Sequence, residues 1–506
     1  MSRFPKITPQ EAAEFISNGD MVAMSGFTAA GAPKAVPQAI VERAKTIHAK
    51  GEPFKIKLIT GASLSASIDD SFAAEKITQW RAPYQSASGL RKAINAGEID
   101  FIDMHLSEVS QMIKFGFFEK IKVAIIEATE VTEDGKVYLS TGIGNSPTFL
   151  KEAEKIIIEV NSYHSKRLRE MMDIVSLEKP PHRDPITIKK PLDKIGTSYV
   201  QVDPNRIVGI VETNAKDEIG SFGASDAISQ GIAHNVEKFL LSELASGRIP
   251  SEFLPVQSGV GNINNAVMET LGANQEIPKF HMFTEVLQES VVGLMEQGKI
   301  AGVSTCSFTV TPGTLQKIYD NMDFFSPKLV LRPQEISNNP ELIRRLGVIA
   351  LNVGLEFDIY GHANSTHVAG TSLMNGIGGS ADFERNAYLS VFMAPSIAKG
   401  GKISTIVPMC SHVDHSEHSV KVIITEQGIA DLRGLSPIER AKAIIDNCAH
   451  PMYRDYLHAY LARSKSGHIK HDLNTVFELH RNLLEHGQML YQNSLDTLVE
   501  QNKSLK

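Results

Sequence analysis

Short apolar runs with little internal alternation recur along the chain, separated by stretches with helical spacing. In the first half they are DMVAMSGF, KIKLITGAS, IDFIDMHLS, KVAIIEAT and EKIIIEVN. LPVQSGVG, KFHMFTEV, KIAGVSTCSF, KLVLRPQ, AYLSVFMAP, KISTIVPM and VKVIITEQG follow in the second. A run that is apolar at successive positions reads as a strand covered on both faces. Alternation of such strands with helices predicts βα units on largely parallel sheets, an α/β protein. Three helices have readable signals: TPQEAAEFIS with Thr8 as cap and Glu11 three residues on, SEVSQMIKF with Ser107 as cap, and EVLQESVVGLMEQGK, which keeps helical spacing up to a glycine. Residues 161–206, with EKPPHRDP and KKPLDK, read as an irregular connection. A domain boundary is expected near residue 220, dividing the chain into 1–220 and 221–506, and the tail beyond Leu473 reads as one or two docked amphipathic helices.

One apolar run contains a residue that the pattern does not explain. KFHMFTEVLQES sets Glu285 among Phe280, Met282, Phe283, Val286 and Leu287. A buried carboxylate is costly unless it is paired, so it persists where it is partnered, exposed at an element end, or useful. The pattern places Glu285 where a parallel strand gives way to a helix, a common position for functional side chains.

Three glycine turns supply further candidates. SGVGNINNAV, residues 258–267, joins a predicted strand to a predicted helix, a geometry that turns backbone N–H groups and a helix N-terminus toward an anion. It also imitates a dinucleotide fingerprint, with Gly259 and Gly261 spaced as G-x-G and Glu285 downstream in place of the ribose-binding acid. Asn264 occupies the third position, where that fingerprint needs Gly or Ala, and this weakens a nicotinamide-dependent oxidoreductase reading. GFTAAGAPKAV reads as a tight turn with Pro33 at the first helical position. MNGIGGSADF packs three glycines into four residues, so its backbone can approach a ligand closely.

Composition narrows the function classes. The chain of 506 residues has a formal charge of -7 and its basic residues are dispersed, so nothing marks a nucleic-acid or membrane-surface binder. No signal peptide or uncharged span of membrane length is apparent, and Cys306, Cys410 and Cys448 are far apart, so a cytoplasmic protein with buried thiols is expected. CSHVDHSEHSV gathers His412, Asp414, His415, His418 and Cys410, but the histidines recur every third residue, which matches neither a zinc-hydrolase pair nor a structural finger. A polar hydrogen-bonded loop is expected there, and no metal site.

Read in order, GFTAAGAP, SGVGNINNAV, MFTEVLQES, RPQEISNNPE, YGHANSTHV, MNGIGGSADFERNAYLS, CSHVDHSEHSV and ITEQGIADLRGLSP resemble the acetyl-CoA hydrolase/transferase branch of the class I coenzyme A transferases, over nearly the whole chain. The likeness is strongest to bacterial succinate CoA-transferases. It implies two related α/β/α domains in tandem with the active site between them, and a dimer. Glu285 would attack an acyl-CoA thioester, with coenzyme A and small carboxylates as substrates and no metal or prosthetic group. An ionised carboxylate, with an ordinary pKa of about 4.3, would need no general base. The resemblance further implies that backbone amides of Val260, Gly261, Asn262, Ile263, Asn264 and Gly379 bind the oxyanion and the pantetheine arm. Asn375 and Lys399 would contact coenzyme A, and Asn338 and Glu426 would lie near the reacting carboxylates. Relatives read GGSGDF where this chain has Ala381, so fine specificity is open. Plainer roles remain for several residues: Glu285 as a helix N-terminal carboxylate, Lys399 as a solvated side chain, Glu426 as a partner of Arg433. An acetyl-CoA hydrolase and a non-catalytic acyl-CoA sensor are the other readings.

Overall fold

The computed structural model describes residues 3–220, 223, 225–465 and 467–491. The chain forms two compact units. The first comprises Met1–Ser221, Phe280–Leu346 and Asn375–Asp382, and the second Phe222–Lys279, Gly347–Met374 and Phe383–Lys506. Glu285 therefore belongs to the same compact unit as the N-terminal segment.

In the first unit, seven parallel strands run in the order Asp100–Phe101, Thr78–Ala82, Ile56–Ile59, Met21–Met24, Val123–Val131, Lys155–Asn161 and Ile207–Thr213. Lys136–Leu139 folds back antiparallel on the end of Val123–Val131. The central strands are buried at nearly every position, as their unbroken apolar runs require. The predicted strand IDFIDMHLS is only two residues long, and residues 103–107 leave the sheet to serve the site described below.

The helix starts divide into confirmed and corrected ones. Pro9–Glu14 opens with the expected reciprocal bonds of Thr8 and Glu11. Pro33 does not begin its helix, because Ala35–His48 starts after Lys34. The cap comes instead from the neighbouring strand, where the buried Glu159 carboxylate accepts the N–H groups of Lys34 at 2.7 Å, Ala35 at 3.0 Å and Val36 at 2.6 Å. Ser107 caps no helix either: it lies within the 3-10 turn Leu106–Glu108, and its hydrogen bonds go to Asp382.

The second unit has its own sheet portion, with Val256–Ser258, Ile349–Val353, Leu389–Met393 and Val422–Thr425 parallel and Gly428–Asp431 antiparallel at the end. Helices Pro437–Cys448, Pro451–Arg463 and Glu478–His486 pack on a core that includes Phe357, Tyr360, Phe392 and Ile423. The last of these is the expected docked tail helix, while residues 492–506 lie outside the described residues. The cysteines are free and buried. Among the described residues no helix is long and apolar enough to cross a membrane.

Candidate active site

Glu285 occupies a break in two adjacent parallel strands rather than a strand-to-helix junction. Phe280–Phe283 pairs with Ile300–Thr305, and Val286–Leu287 pairs with Ser307–Phe308, so both strands interrupt at the same level. The helix begins only at Glu289. The backbone stays satisfied across the break. The Glu285 carbonyl accepts the Cys306 N–H at 3.0 Å and the Thr305 hydroxyl at 2.7 Å, and the Cys306 carbonyl accepts the Ile143 N–H at 2.9 Å. An interrupted ladder frees the side chain from strict in-out alternation, which lets an apolar run present a carboxylate.

Asn338 and Gly379 meet that carboxylate. Asn338 ends the short helix Gln334–Ser337, and its Nδ2 donates to Glu285 Oε1 at 2.7 Å. A Cβ built on Gly379 would lie 2.0 Å from Glu285 Oε1 and 2.4 Å from Asn338 Nδ2, so only glycine fits there. Burial pushes the Glu285 carboxyl up to about 7, the Asn338 bond works against the rise, and the charge of Asp382 adds to it. Burial therefore makes Glu285 harder to ionise near neutrality than its ordinary value implies. Tyr84 closes one side with Phe27, Leu106, Val286 and Cys306. Burial, then the charges of Glu285 and Asp103, push its phenol up to about 12. Asn375 begins the same glycine loop, where its Nδ2 donates to the Gly376 carbonyl at 2.9 Å.

The other expected residues belong to the second unit. Gly261, at φ 116°, caps helix Asn262–Ala273, so Asn262, Ile263 and Asn264 form its first turn and Val260 is exposed just before it. Asn264 is buried and donates to the Val260 carbonyl at 3.2 Å. A side chain on Gly259 would press on its amide at 3.1 Å. The asparagine thus pins the loop that a dinucleotide fingerprint would leave to glycine. Lys399 is exposed on a left-handed residue, φ 48°, at the edge of an apolar cavity of about 340 Å³ that also includes Val368, Met374 and Met489. Glu426 accepts the Ser396 N–H at 2.8 Å and bonds its hydroxyl. Arg433 pairs with Glu243 and Asp431 instead of Glu426, which corrects the plain reading of that glutamate.

The histidine-rich segment forms a polar loop in which Asp414 accepts from Ser365 and Thr366 and faces His412 at 3.2 Å, while His418 is exposed. A different set, Glu127, His164 and Asp217 in the first unit, converges closely enough to hold a cation. Its cation is supplied by the chain: Lys34 Nζ lies 2.6 Å from Glu127 and 2.7 Å from Asp217. Sequence reasoning assigned Asp382, Asp103 and Tyr84 no role at the site, and Ser107 only that of a helix cap. For Asp382, Asp103 and Ser107 the available signal was that GGSADF and IDMHLS carry polar residues beside apolar runs.

Comparison with known proteins matches two stretches of the chain to one family. Residues 1–212 match the model of the acetyl-CoA hydrolase/transferase N-terminal domain, and residues 314–461 that of the C-terminal domain. The chain is 63% identical to the propanoyl-CoA:succinate CoA transferase of Escherichia coli, over 97% of its own length and 99% of the relative's. It is 47% identical to the succinyl-CoA:acetate CoA-transferase of Clostridium kluyveri, over 96% and 90%. RipA from Yersinia pestis, 22% identical, superposes with a TM-score of 0.68 over 90% of this chain and 96% of that one, a likeness of fold.

Proposed function

Because the chain belongs to the acetyl-CoA hydrolase/transferase family and is an enzyme of the CoA-transferase type, we propose that it moves coenzyme A between an acyl-CoA (propionyl-, acetyl- or succinyl-CoA) and a small carboxylate such as succinate or acetate. One arrangement carries the reading: a buried Glu285 carboxyl, raised by that burial, enclosed by the Asn338 amide and the Gly379 backbone. The ionised Glu285 oxygen attacks the thioester carbon, the carbon–sulfur bond breaks, and CoA thiolate leaves an acyl-glutamyl anhydride. The thiolate then attacks the glutamyl carbonyl, the first carboxylate departs, and a glutamyl-CoA thioester remains. A second carboxylate reverses both steps. The bond energy of the thioester is carried through, so the exchange requires no ATP. Each tetrahedral intermediate carries an oxyanion, which this reading gives to Asn338 Nδ2 and the backbone N–H of Gly379.

The same reading gives Val260, Gly261, Asn262, Ile263, Asn264, Asn375 and Lys399 to coenzyme A, with Glu426 near the reacting carboxylates. It also keeps the division 1–220 and 221–506 as tandem domains, a homodimer, and a cytoplasmic location. Acetyl-CoA hydrolysis is the second reading, favoured by the family's double name. The two part in one assay. Propionyl-CoA with succinate yields succinyl-CoA without free thiol if the enzyme is a transferase; release of free CoA at the same rate with and without succinate makes it a hydrolase.

A further inference from the structure

The glycine loop and the carboxylate of Asp382 arrive on one stretch of chain, and a second stretch, residues 103–107, holds both. Asp103 accepts the Ile377 N–H at 2.8 and 3.0 Å. Ser107 gives Asp382 two bonds, N–H to Oδ2 at 3.0 Å and hydroxyl to Oδ1 at 2.6 Å. The turn carrying Asn338 is tied to the same region, because Gln334 donates to the Leu106 carbonyl at 2.9 Å and Lys114 pairs with Glu335 at 2.9 Å.

Asp382 is buried, 4% exposed, with Oδ2 3.4 Å from Asn338 Nδ2. The Ser337 hydroxyl donates to Asn338 Oδ1 at 2.8 Å, leaving the NH₂ end between two carboxylates. A flipped amide would set its oxygen against both, which fixes its orientation. We infer that Asp382 is a positioning residue of this site: anchored by Ser107, it aims the Asn338 amide at Glu285 and sets a second carboxylate against charge on that nucleophile. The role rests on the reading of Glu285 as nucleophile. The groups facing the pair are Tyr84 and Cys306 beside Glu285, His105 beside Asp382, and Asp103 beyond Tyr84. Burial raises the Asp382 carboxyl, and its charge raises Glu285 further.

The test is the pH dependence of kcat/KM in the full-length enzyme with propionyl-CoA and succinate. Asp382→Asn removes the charge, so the acid limb moves to lower pH by roughly half a unit or more. Loss of amide alignment lowers the plateau about 10-fold. Ser107→Ala loses the anchor and one bond that favours the Asp382 charge: kcat falls about 10-fold with KM little changed, and any movement of the limb is to lower pH. A wild-type limb and plateau in Asp382→Asn overturn the inference. Should that variant not fold, Ser107→Ala decides: wild-type kcat overturns it, and a lowered kcat with KM little changed supports it. A wild-type enzyme that turns over without any covalent adduct on Glu285 would instead sink the nucleophile assignment, which separates the two failures.

Discussion

Two clusters of buried carboxylates stand in the first compact unit, and the protein treats them in opposite ways. At Glu127 and Asp217 the Lys34 ammonium bridges both carboxylates, His164 stands 3.2 Å from Glu127, and Ser140, Asn161 and Thr141 complete the bonding. Burial works to raise Glu127, but Lys34 and His164 hold it well below the usual carboxylate range. At Glu285 and Asp382 the partners include an amide and a serine, with His105 beside Asp382, and both carboxyls are raised by burial. Among the described residues Glu285 forms no ion pair. A compensated cluster locks the Gly26–Gly31 turn in place, since Asp217 also accepts the Gly31 N–H at 3.2 Å. At Glu285 and Asp382 burial outweighs the hydrogen bonds, so both carboxyls stay raised.

The contrast breaks most sharply at Glu285, the proposed nucleophile. Glu285→Gln should lower transfer by at least about 10³-fold while leaving the fold intact, measured as succinyl-CoA formation per folded molecule. Lys34→Met is the opposite case: it strands two buried carboxylates and should cost about 3 kcal/mol of stability by urea denaturation, with activity per folded molecule changed far less. Equal losses of stability in the two variants would erase the distinction. Asn338→Ala should reduce kcat about 10²-fold through the lost oxyanion donor, with KM moving less. Acidity gives the smallest effect and the clearest sign. Because Glu285 must be ionised to attack, kcat/KM should rise with pH through an inflection near 7.

Stability should run in opposite directions at the two clusters. The folded protein holds a proton on Glu285 between its ordinary value of 4.5 and about 7, so this group's contribution to stability falls as pH rises through that window. Glu285→Gln should remove that dependence. Glu127 is depressed, so its contribution is full above its ordinary value of 4.5 and is lost as pH falls toward its folded value. A wild type and Glu285→Gln pair with parallel stability profiles from pH 5 to 8 would contradict the assignment.

Much of the fold was legible because buried parallel strands impose continuous apolar runs: Val123–Val131, Lys155–Asn161 and Leu389–Met393 stand where the pattern put them. Thr78–Ala82 was missed, since TQWRA carries Gln79 and the buried Arg81, whose guanidinium is held by the Thr60 hydroxyl and the carbonyls of Ala62 and Ala82. Glu285 was legible as an anomaly within an apolar run. The break around it was not, because two strands must interrupt together and a single sequence shows only one at a time. Ser107 illustrates the same limit. Serine before an apolar run is a sound helix cap in local terms, but its partner is Asp382, 275 residues away. Asp382 carried no signal of its own in the glycine turn MNGIGGSADF, and only the fold brings it beside Asn338.

The central claim is that Glu285 carries the acyl and CoA groups covalently. The wild-type enzyme would be mixed with propionyl-CoA or succinyl-CoA, quenched in mild acid, digested and mapped by mass, with Glu285→Gln in parallel. A CoA-sized or acyl-derived mass is expected on the peptide containing Glu285 in the wild type, and none in the variant. Turnover in the wild type with that peptide unmodified would contradict it, and would return Glu285 to a general base or a structural carboxylate.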